Sequence, residues 1–155
     1  MLSRLDYGNA LLMGSSSTNI MKLQRLQNWS AKIIFCARKF DHASQFLHQL
    51  HWLPVKERIQ YKILLYVFKC LHELGPHYLT SALSLYEPTR PGLRSALDTT
   101  RLAVPKYNYR GLKSAFEKSF SLAAPSIWNA LPSNIRCSAS LPIFKKVLKT
   151  HLFPK

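Results

Sequence analysis

Apolar residues recur at helical spacing between His51 and Pro76, and this is the strongest hydrophobic pattern in the chain. Pro54 suits the first helical turn, where its missing N–H is not needed, and Gly75 followed by proline is a usual stop. Burying one large apolar side chain contributes about 1.5–3 kcal/mol, so we expect this helix to lie at the centre of the core. Its predicted buried face consists of Val55, Ile59, Ile63, Val67, Leu71 and Leu74, widened by Leu64, Tyr66 and Phe68.

A second long helix is predicted earlier in the chain. Residues 2–13 have the short apolar face of a helix end, and a polar turn separates them from a helix that starts at Ser17 or Thr18 and reaches about Cys36. One side of this helix is expected to be buried and another side to be basic. The residues expected on the buried side are Ile20, Leu23, Leu26, Ser30 or Ala31, and Ile34. The residues on the other faces are Lys22, Arg25, Asn28 and Lys32.

Two short helices are predicted to flank the central one. Asp41 is a candidate cap for the first, which ends at Leu50, and the second follows Pro76. Because the connections are short, residues 1–86 are predicted to form a helical bundle. The apolar positions expected to pack in these short helices are Phe46, Leu47, Leu50, Tyr78, Leu79, Leu83 and Leu85.

The pattern changes at Glu87, after which proline, glycine and basic residues interrupt the apolar positions. Residues 99–104 carry β-compatible side chains and residues 119–123 alternate weakly, which is compatible with a small β-hairpin. Pro125 is expected to start a short helix, and Ser140 to cap a last helix. The residues of this last helix that are expected to point inward are Leu141, Phe144, Val147 and Leu148.

These patterns predict a mainly α fold in two regions. Residues 1–86 form the helical bundle. Residues 87–155 form a basic loop region, which can include the small β-hairpin, followed by a C-terminal helix. A chain of 155 residues has the length of one ordinary domain, so we expect the two regions to pack together.

Charge is the feature of the composition that points to function. Lys and Arg number 22 against 7 Asp and Glu, which gives a formal charge of +15, while 47% of the residues are hydrophobic. The apolar content predicts a folded chain, and the charge predicts a polyanionic partner, with nucleic acid first and an acidic membrane surface second.

Location follows from what the sequence does not contain. Its 3 cysteines are far apart and are typical of reduced, packed thiols. No apolar run is long enough to span a bilayer, and the N-terminus does not have the pattern of a secretory signal. We therefore expect a cytoplasmic or nuclear location and no membrane insertion.

Known catalytic patterns do not occur in the sequence. The 7 acidic residues are scattered, without a spacing that would hold divalent cations, and the 5 glycines form no phosphate-binding loop. Cys70, His72 and His77, with His48 and His51 upstream, match no common zinc module. The sequence therefore predicts neither an enzyme nor a bound metal or cofactor.

Basic residues interleaved with aromatic rings are the remaining signal, because cations pair with phosphates and rings stack on unpaired bases. Any one of these residues is more simply explained as a solvated charge or a core ring. As a set they predict an RNA- or DNA-binding surface, to which Lys56, Arg58 and Lys62 of the central helix add a basic face. The candidate contact residues are Arg38, Lys39, Arg101, Lys106, Tyr107, Tyr109, Arg110, Lys113, Lys145, Lys146 and Lys149.

Several segments in succession resemble one family. They are RLDYGNALL, LQRLQN, KFDH, LHWLPVKERIQYKILLYVFKCLH, FSLAAPSIWNALPSNIR and FKKVLKTHLF. Together they resemble the C-terminal, post-palm region of reverse transcriptases (RNA-directed DNA polymerases) encoded by non-LTR, LINE-type retrotransposons. Trp29-Ser30 departs from the small residues that the family commonly has there. The matching motif positions are Leu23, Gln24, Gln27 and Asn28, then His51, Trp52, Leu53 and Pro54, and then Ala124, Pro125, Trp128, Asn129, Leu131 and Pro132.

The resemblance implies a non-catalytic role. In the family the polymerase site, with its Tyr-Xaa-Asp-Asp motif, lies upstream of this region, and no such motif occurs in this sequence. The region after the palm is expected to contain thumb-like helices, here residues 1–86, and to help hold RNA and DNA. Two alternatives remain open: a helical protein-interaction module that contacts the missing polymerase domain or self-associates through exposed apolar surface, and a translated retroelement relic without selected function.

Overall fold

A computed structural model of the chain describes residues 2–88, 100–105 and 119–153. These residues form a mainly helical fold, as predicted. Among them, no helix has both the length and the apolar character needed to cross a bilayer. The α-helices are α1 Leu2–Asp6, α2 Ser17–Ile34, α3 Ala43–Gln49, α4 Val55–Leu71, α5 His77–Thr80, α6 Phe120–Asn129, α7 Ser133–Arg136 and α8 Leu141–Leu152, and a 3-10 helix spans Asn9–Leu12.

Helix α4 lies at the centre of the core, as its apolar period predicts. It packs against the 3-10 helix, α2, α5, α6 and α8. Phe68 stacks on Phe144 of α8 with ring centroids 4.3 Å apart, so one core joins the two halves of the chain. The prediction was wrong for Leu74, which is 62% exposed beyond the end of the helix, and for Tyr66, which is 38% exposed. The α4 residues that are buried are Val55, Ile59, Ile63, Leu64, Val67, Phe68 and Cys70.

The ends of α2, α3 and α4 share one backbone geometry. Cys36, His51 and Glu73 adopt left-handed conformations with φ of 49°, 51° and 57°. In each case the next N–H donates to a carbonyl five residues back, at 2.9, 2.9 and 2.8 Å, which closes the helix end. Helix α4 therefore ends before Gly75. Glycine is needed at this position because Cys70 lies close to it: a Cβ on residue 75 would lie 2.8 Å from the Sγ of Cys70.

Helix α2 packs inward through Ile20, Leu23 and Ala31, as its apolar residues predict, but the prediction was wrong for Leu26 and Ile34. Gln27 and Ala31 are fully buried against the core, whereas Leu26 and Ile34 are 50% and 55% exposed. The reason is a polar contact: the Gln27 Nε2 donates to the carbonyl of Leu53 at 2.9 Å. This hydrogen bond fixes the rotation of α2, and so turns two predicted core residues toward solvent.

The side chain of Gln24 adds a second bond between α2 and α4. Its Oε1 accepts the N–H of Val55, the first residue of α4, at 2.8 Å. This N–H has no partner within its own helix. Pro54 occupies the cap position of α4 and provides no side-chain hydrogen bond, so α2 caps the central helix.

The start of α6 was predicted wrongly. The helix begins at Phe120, and Pro125 lies inside it and is buried, so Pro125 does not open the helix. Residues 120–123 are therefore helical and do not pair in a hairpin. The β-type contact that does form joins Leu102 to Leu85 in an antiparallel bridge. It forms there because the extended segment 100–105 lies between residues 84–86 and α6.

Helix α8 matches its prediction. It begins after Ser140, which occupies the cap position without a side-chain hydrogen bond. Phe144 and Leu148 are fully buried, and both contribute to the same core as α4. Leu141 and Val147 pack against the edge of that core. The lysines of α8 face outward and are exposed.

Candidate nucleic-acid interface

The described part of the chain contains six of the predicted contact residues, and they lie in three places. Arg38 and Lys39 lie in the loop between α2 and α3, and Arg101 lies in the extended segment 100–105. The lysines of α8 form the third group, namely Lys145, Lys146 and Lys149. The other predicted contacts, Lys106, Tyr107, Tyr109, Arg110 and Lys113, lie outside the described residues.

Helices α4 and α8 bring cations together in a cleft of about 250 Å³. Lys149 of α8 faces Arg58 and Lys62 of α4 across it. Lys56, which the sequence groups with those two α4 residues, lies at a different pocket beside α2. We name this site the α4–α8 cleft, and its lining residues are Asp6, His51, Leu53, Arg58, Tyr61, Lys62 and Lys149.

Among the described residues, one carboxylate lines the α4–α8 cleft, and a cation of the cleft itself binds it. Asp6 forms an ion pair with Arg58, in which both Nε and Nη2 of the guanidinium donate to the carboxylate. The hydrogen bond from Arg58 lowers the pKa of Asp6; partial burial opposes this shift, and the charges of Arg58 and Lys62 add to it. Asp6 therefore stays ionised and holds Arg58, while the charges of Lys62 and Lys149 remain as the excess positive charge of the cleft.

Tyr61 forms part of the wall of this cleft. Burial raises the pKa of its phenol, so the hydroxyl stays protonated at neutral pH. A neutral hydroxyl can donate a hydrogen bond and adds no negative charge. An anion bound in the cleft would therefore contact cationic groups together with a neutral hydrogen-bond donor.

The loop between α2 and α3 displays a cation beside an exposed ring. The Lys39 Nζ lies 5.8 Å from the centroid of the Phe40 ring, and Phe40 is 88% exposed. Asp41 was predicted to cap α3, but its Oδ2 accepts the N–H of Arg38 at 2.7 Å, and His42 occupies the cap position. The carboxylate therefore closes the loop that carries Arg38 and Lys39.

Other arginines are held within the fold. Arg136 is 5% exposed, and its Nε donates to the carbonyl of Leu131 at 3.1 Å. Its Nη1 donates to the Thr100 hydroxyl at 3.2 Å. Arg101 is half-buried, and its carbonyl accepts the N–H of Tyr86 at 2.9 Å. These two arginines contribute to the net charge but are less accessible to a ligand than the lysines of α8.

Two further features of the molecular surface are absent from the set of contact residues predicted from the sequence. His51 lines the α4–α8 cleft from the turn that precedes α4, where its backbone is left-handed. Trp29 is 66% exposed on α2, and its position between Arg25 and Lys32 on the basic side of the helix was the available signal. Among the described residues, no group of three His, Cys, Asp or Glu side chains is placed to hold a metal ion.

The motif residues found in the sequence act mainly within the fold. Gln24 and Gln27 bind the start of α4, and the Trp128 Nε1 donates to the carbonyl of Thr100 at 2.8 Å. Comparisons with known protein families, curated proteins and solved structures find no match to this chain. A functional assignment therefore depends on the surface of the molecule and on its charge.

Proposed function

We propose that this chain binds RNA or DNA through its basic surface and does not itself catalyse a reaction. We further propose that it corresponds to the post-palm region of a non-LTR retrotransposon reverse transcriptase, on the strength of the motif resemblance. The proposed contacts on the described residues are the α4–α8 cleft, the exposed lysines of α8, and Arg38 and Lys39.

The observation that carries the proposal is the charge of the α4–α8 cleft. Among the residues that the structure describes, three cationic side chains line it, from two helices that are far apart in sequence, and the one carboxylate there is bound by one of them. Like charges brought together repel each other, and a phosphate group would relieve that repulsion by pairing with Lys62 and Lys149. The same helix α8 presents Lys145 one turn from Lys149, which extends the positive surface beyond the cleft.

Contacts of this kind favour the phosphate backbone over particular bases. Lysine ammonium groups are point charges without the geometry for reading base edges. The expected binding is therefore largely independent of sequence and falls steeply as salt rises, because bound cations replace counterions along the nucleic acid.

The test compares two lysines that differ in position but carry the same charge. Fluorescence anisotropy with a labelled single-stranded RNA, a single-stranded DNA of the same sequence and the corresponding DNA duplex would be measured at low salt. Lys149→Glu is expected to weaken binding about tenfold through loss of a charged contact, whereas Lys56→Glu, outside the cleft, makes the same change in net charge with a smaller effect.

Two results would contradict the proposal. One is the absence of binding to all three oligonucleotides at low salt. The other is an equal loss of affinity in Lys149→Glu and Lys56→Glu, because this would show an effect of net charge alone and no role for the cleft.

A further inference from the structure

Helix α2 exposes a row of apolar side chains on the side that faces away from the core. Leu26, Trp29 and Ile33 are 50%, 66% and 74% exposed. Residues three, four and seven positions apart lie on one side of a helix, so these three form a continuous strip. We name Leu26, Trp29 and Ile33 the α2 strip. It lies opposite the face on which Gln27 and Ala31 are fully buried.

A groove borders the α2 strip at the C-terminal end of the helix. It has a volume of about 470 Å³, and its far wall is formed by Ala37 and Lys39 of the following loop. The Lys32 Nζ donates to the carbonyl of Lys39 at 2.7 Å and so ties that loop to α2. This specific contact therefore holds the groove open, and Trp29 and Ile33 line it.

The charged side chains that α2 itself places beside the α2 strip have one sign. Lys22, Arg25 and Lys32 flank it on the same helix, and α2 contains no acidic residue. Between Asp6 and Glu57 the sequence has one acidic residue, Asp41, and its carboxylate accepts a backbone N–H of the loop. An occupant of the strip must therefore combine an apolar surface with negative charge.

We propose that the α2 strip binds an acidic amphipathic helix of a partner protein. Apolar residues of that helix, at the spacing of one helical face, would pack on Leu26, Trp29 and Ile33. Its Asp and Glu side chains would pair with Lys22, Arg25 and Lys32. Trp29 is the expected anchor, because large aromatic side chains near the centre of an interface contribute most of the binding energy.

Two other occupants fit the surface less well. A second copy of this chain would bring the same lysines and arginine against themselves without acidic partners, and like charges facing each other are unfavourable. A nucleic acid would satisfy the cations and would find one stacking ring in Trp29, but the aliphatic side chains of Leu26 and Ile33, which make up the rest of the strip, offer neither a ring nor a hydrogen bond. This inference does not depend on the proposed nucleic-acid binding, which concerns other residues apart from the shared Lys39.

The test is a selection from a phage-displayed library of helical peptides against the intact chain, with counter-selection against the Trp29→Ala variant. The expected result is enrichment of peptides with one apolar face flanked by Asp or Glu. Affinities of a selected synthetic peptide would then be measured by calorimetry. Trp29→Ala is expected to weaken binding about 30-fold or more, the loss typical of an anchor residue, and the pair Lys22→Glu and Arg25→Glu to abolish it.

Tyr78→Ala provides the matched control, because Tyr78 is 71% exposed on α5 and lies outside the α2 strip. This variant is expected to bind the peptide as tightly as the unaltered chain. Circular dichroism checks that Trp29→Ala folds, which its exposure predicts.

Four results would overturn the inference. They are failure to enrich any peptide that depends on Trp29, enrichment of peptides without acidic residues, dissociation of a dimer by Trp29→Ala in sedimentation, and loss of oligonucleotide binding in Trp29→Ala. The third result would identify a second copy as the occupant, and the fourth would identify a nucleic acid.

Discussion

The side-chain amide of Asn129 forms hydrogen bonds with both backbone groups of Leu102. Its Oδ1 accepts the Leu102 N–H at 3.0 Å, and its Nδ2 donates to the Leu102 carbonyl at 2.7 Å. The neighbours of Leu102 pair on the other side, where Ala103 donates to Ser84 at 2.8 Å and Tyr86 donates to Arg101 at 2.9 Å. One asparagine of α6 thus completes the pairing of an extended segment and places Leu102 in the core.

Replacing Asn129 should therefore destabilise the whole fold. Asn129→Ala leaves the N–H and the carbonyl of Leu102 without these partners, at a residue that is 1% exposed. Each unsatisfied buried group costs about 1–3 kcal/mol, so we expect a loss of at least about 2 kcal/mol in the free energy of unfolding. Urea denaturation measures this change. Asn134→Ala, at an exposed position of α7, is the control, and an equal effect in both variants would refute the role given to Asn129.

The contact between Gln27 and Leu53 predicts a large effect of a single-atom change. Gln27→Glu replaces the amide that donates to the Leu53 carbonyl by a buried carboxylate facing an oxygen. We expect the free energy of unfolding at pH 7 to fall by more than about 3 kcal/mol, because one oxygen of the buried charge would face the Leu53 carbonyl, while the Gln24 Nε2, which donates to the Gln27 Oε1 at 3.1 Å, serves only the other oxygen.

Gln49→Glu is the matched control for this change, since Gln49 is exposed in the last turn of α3. Its effect on the free energy of unfolding should stay below about 1 kcal/mol, the size of a surface charge effect at a helix end. A small loss in both variants would mean that Gln27 is not buried against α4.

The ion pair between Asp6 and Arg58 predicts a pH dependence of stability. Because the hydrogen bond from Arg58 lowers the pKa of Asp6 in the folded state, the pair stabilises the protein above the pKa of the unfolded chain, near 3.8. This contribution is lost as the pH falls through the lower folded pKa. Asp6→Asn should therefore cost about 1 kcal/mol at pH 7, a value typical of a partly exposed pair, and progressively less below about pH 4.

Denaturation of the unaltered chain and of Asp6→Asn between pH 2 and pH 7 measures the difference. A double-mutant cycle with Arg58→Gln separates the pair from other effects of either side chain. A stability difference that stays constant over this pH range would be incompatible with a lowered pKa at Asp6.

Hydrophobic periodicity was sufficient to predict the helices whose orientation depends on apolar packing. Helices α4 and α8 follow the hydrophobic periodicity because apolar side chains such as Ile63 and Phe144 form no hydrogen bonds and are stabilised by burial. Helix α2 departs from it because the Gln27 side chain bonds to a backbone carbonyl of a distant segment. Pro125 misled the prediction of α6 for a related reason: packing in the core holds it inside a helix although local preference places it at a start.

The charged residues can be read directly from the sequence, but the sequence does not predict which of them lie close together in the fold. Lys149 and Lys62 are far apart in the chain and share a cleft only because α8 packs on α4. The exposure of Trp29 depends likewise on the rotation of α2, which the Gln27 contact determines. Local patterns do not contain such tertiary relationships, so the α4–α8 cleft and the α2 strip could be assigned only from the fold.

The salt dependence of RNA binding tests the central claim most directly. The affinity of the intact chain for a labelled single-stranded RNA would be measured over a series of salt concentrations, together with that of Lys149→Ala. We predict that the logarithm of the affinity falls linearly with the logarithm of the salt concentration, and that Lys149→Ala reduces the slope by about 0.7–1, the value for one lost phosphate contact. No detectable binding at low salt, or a slope that Lys149→Ala leaves unchanged, would contradict the proposed role of the α4–α8 cleft.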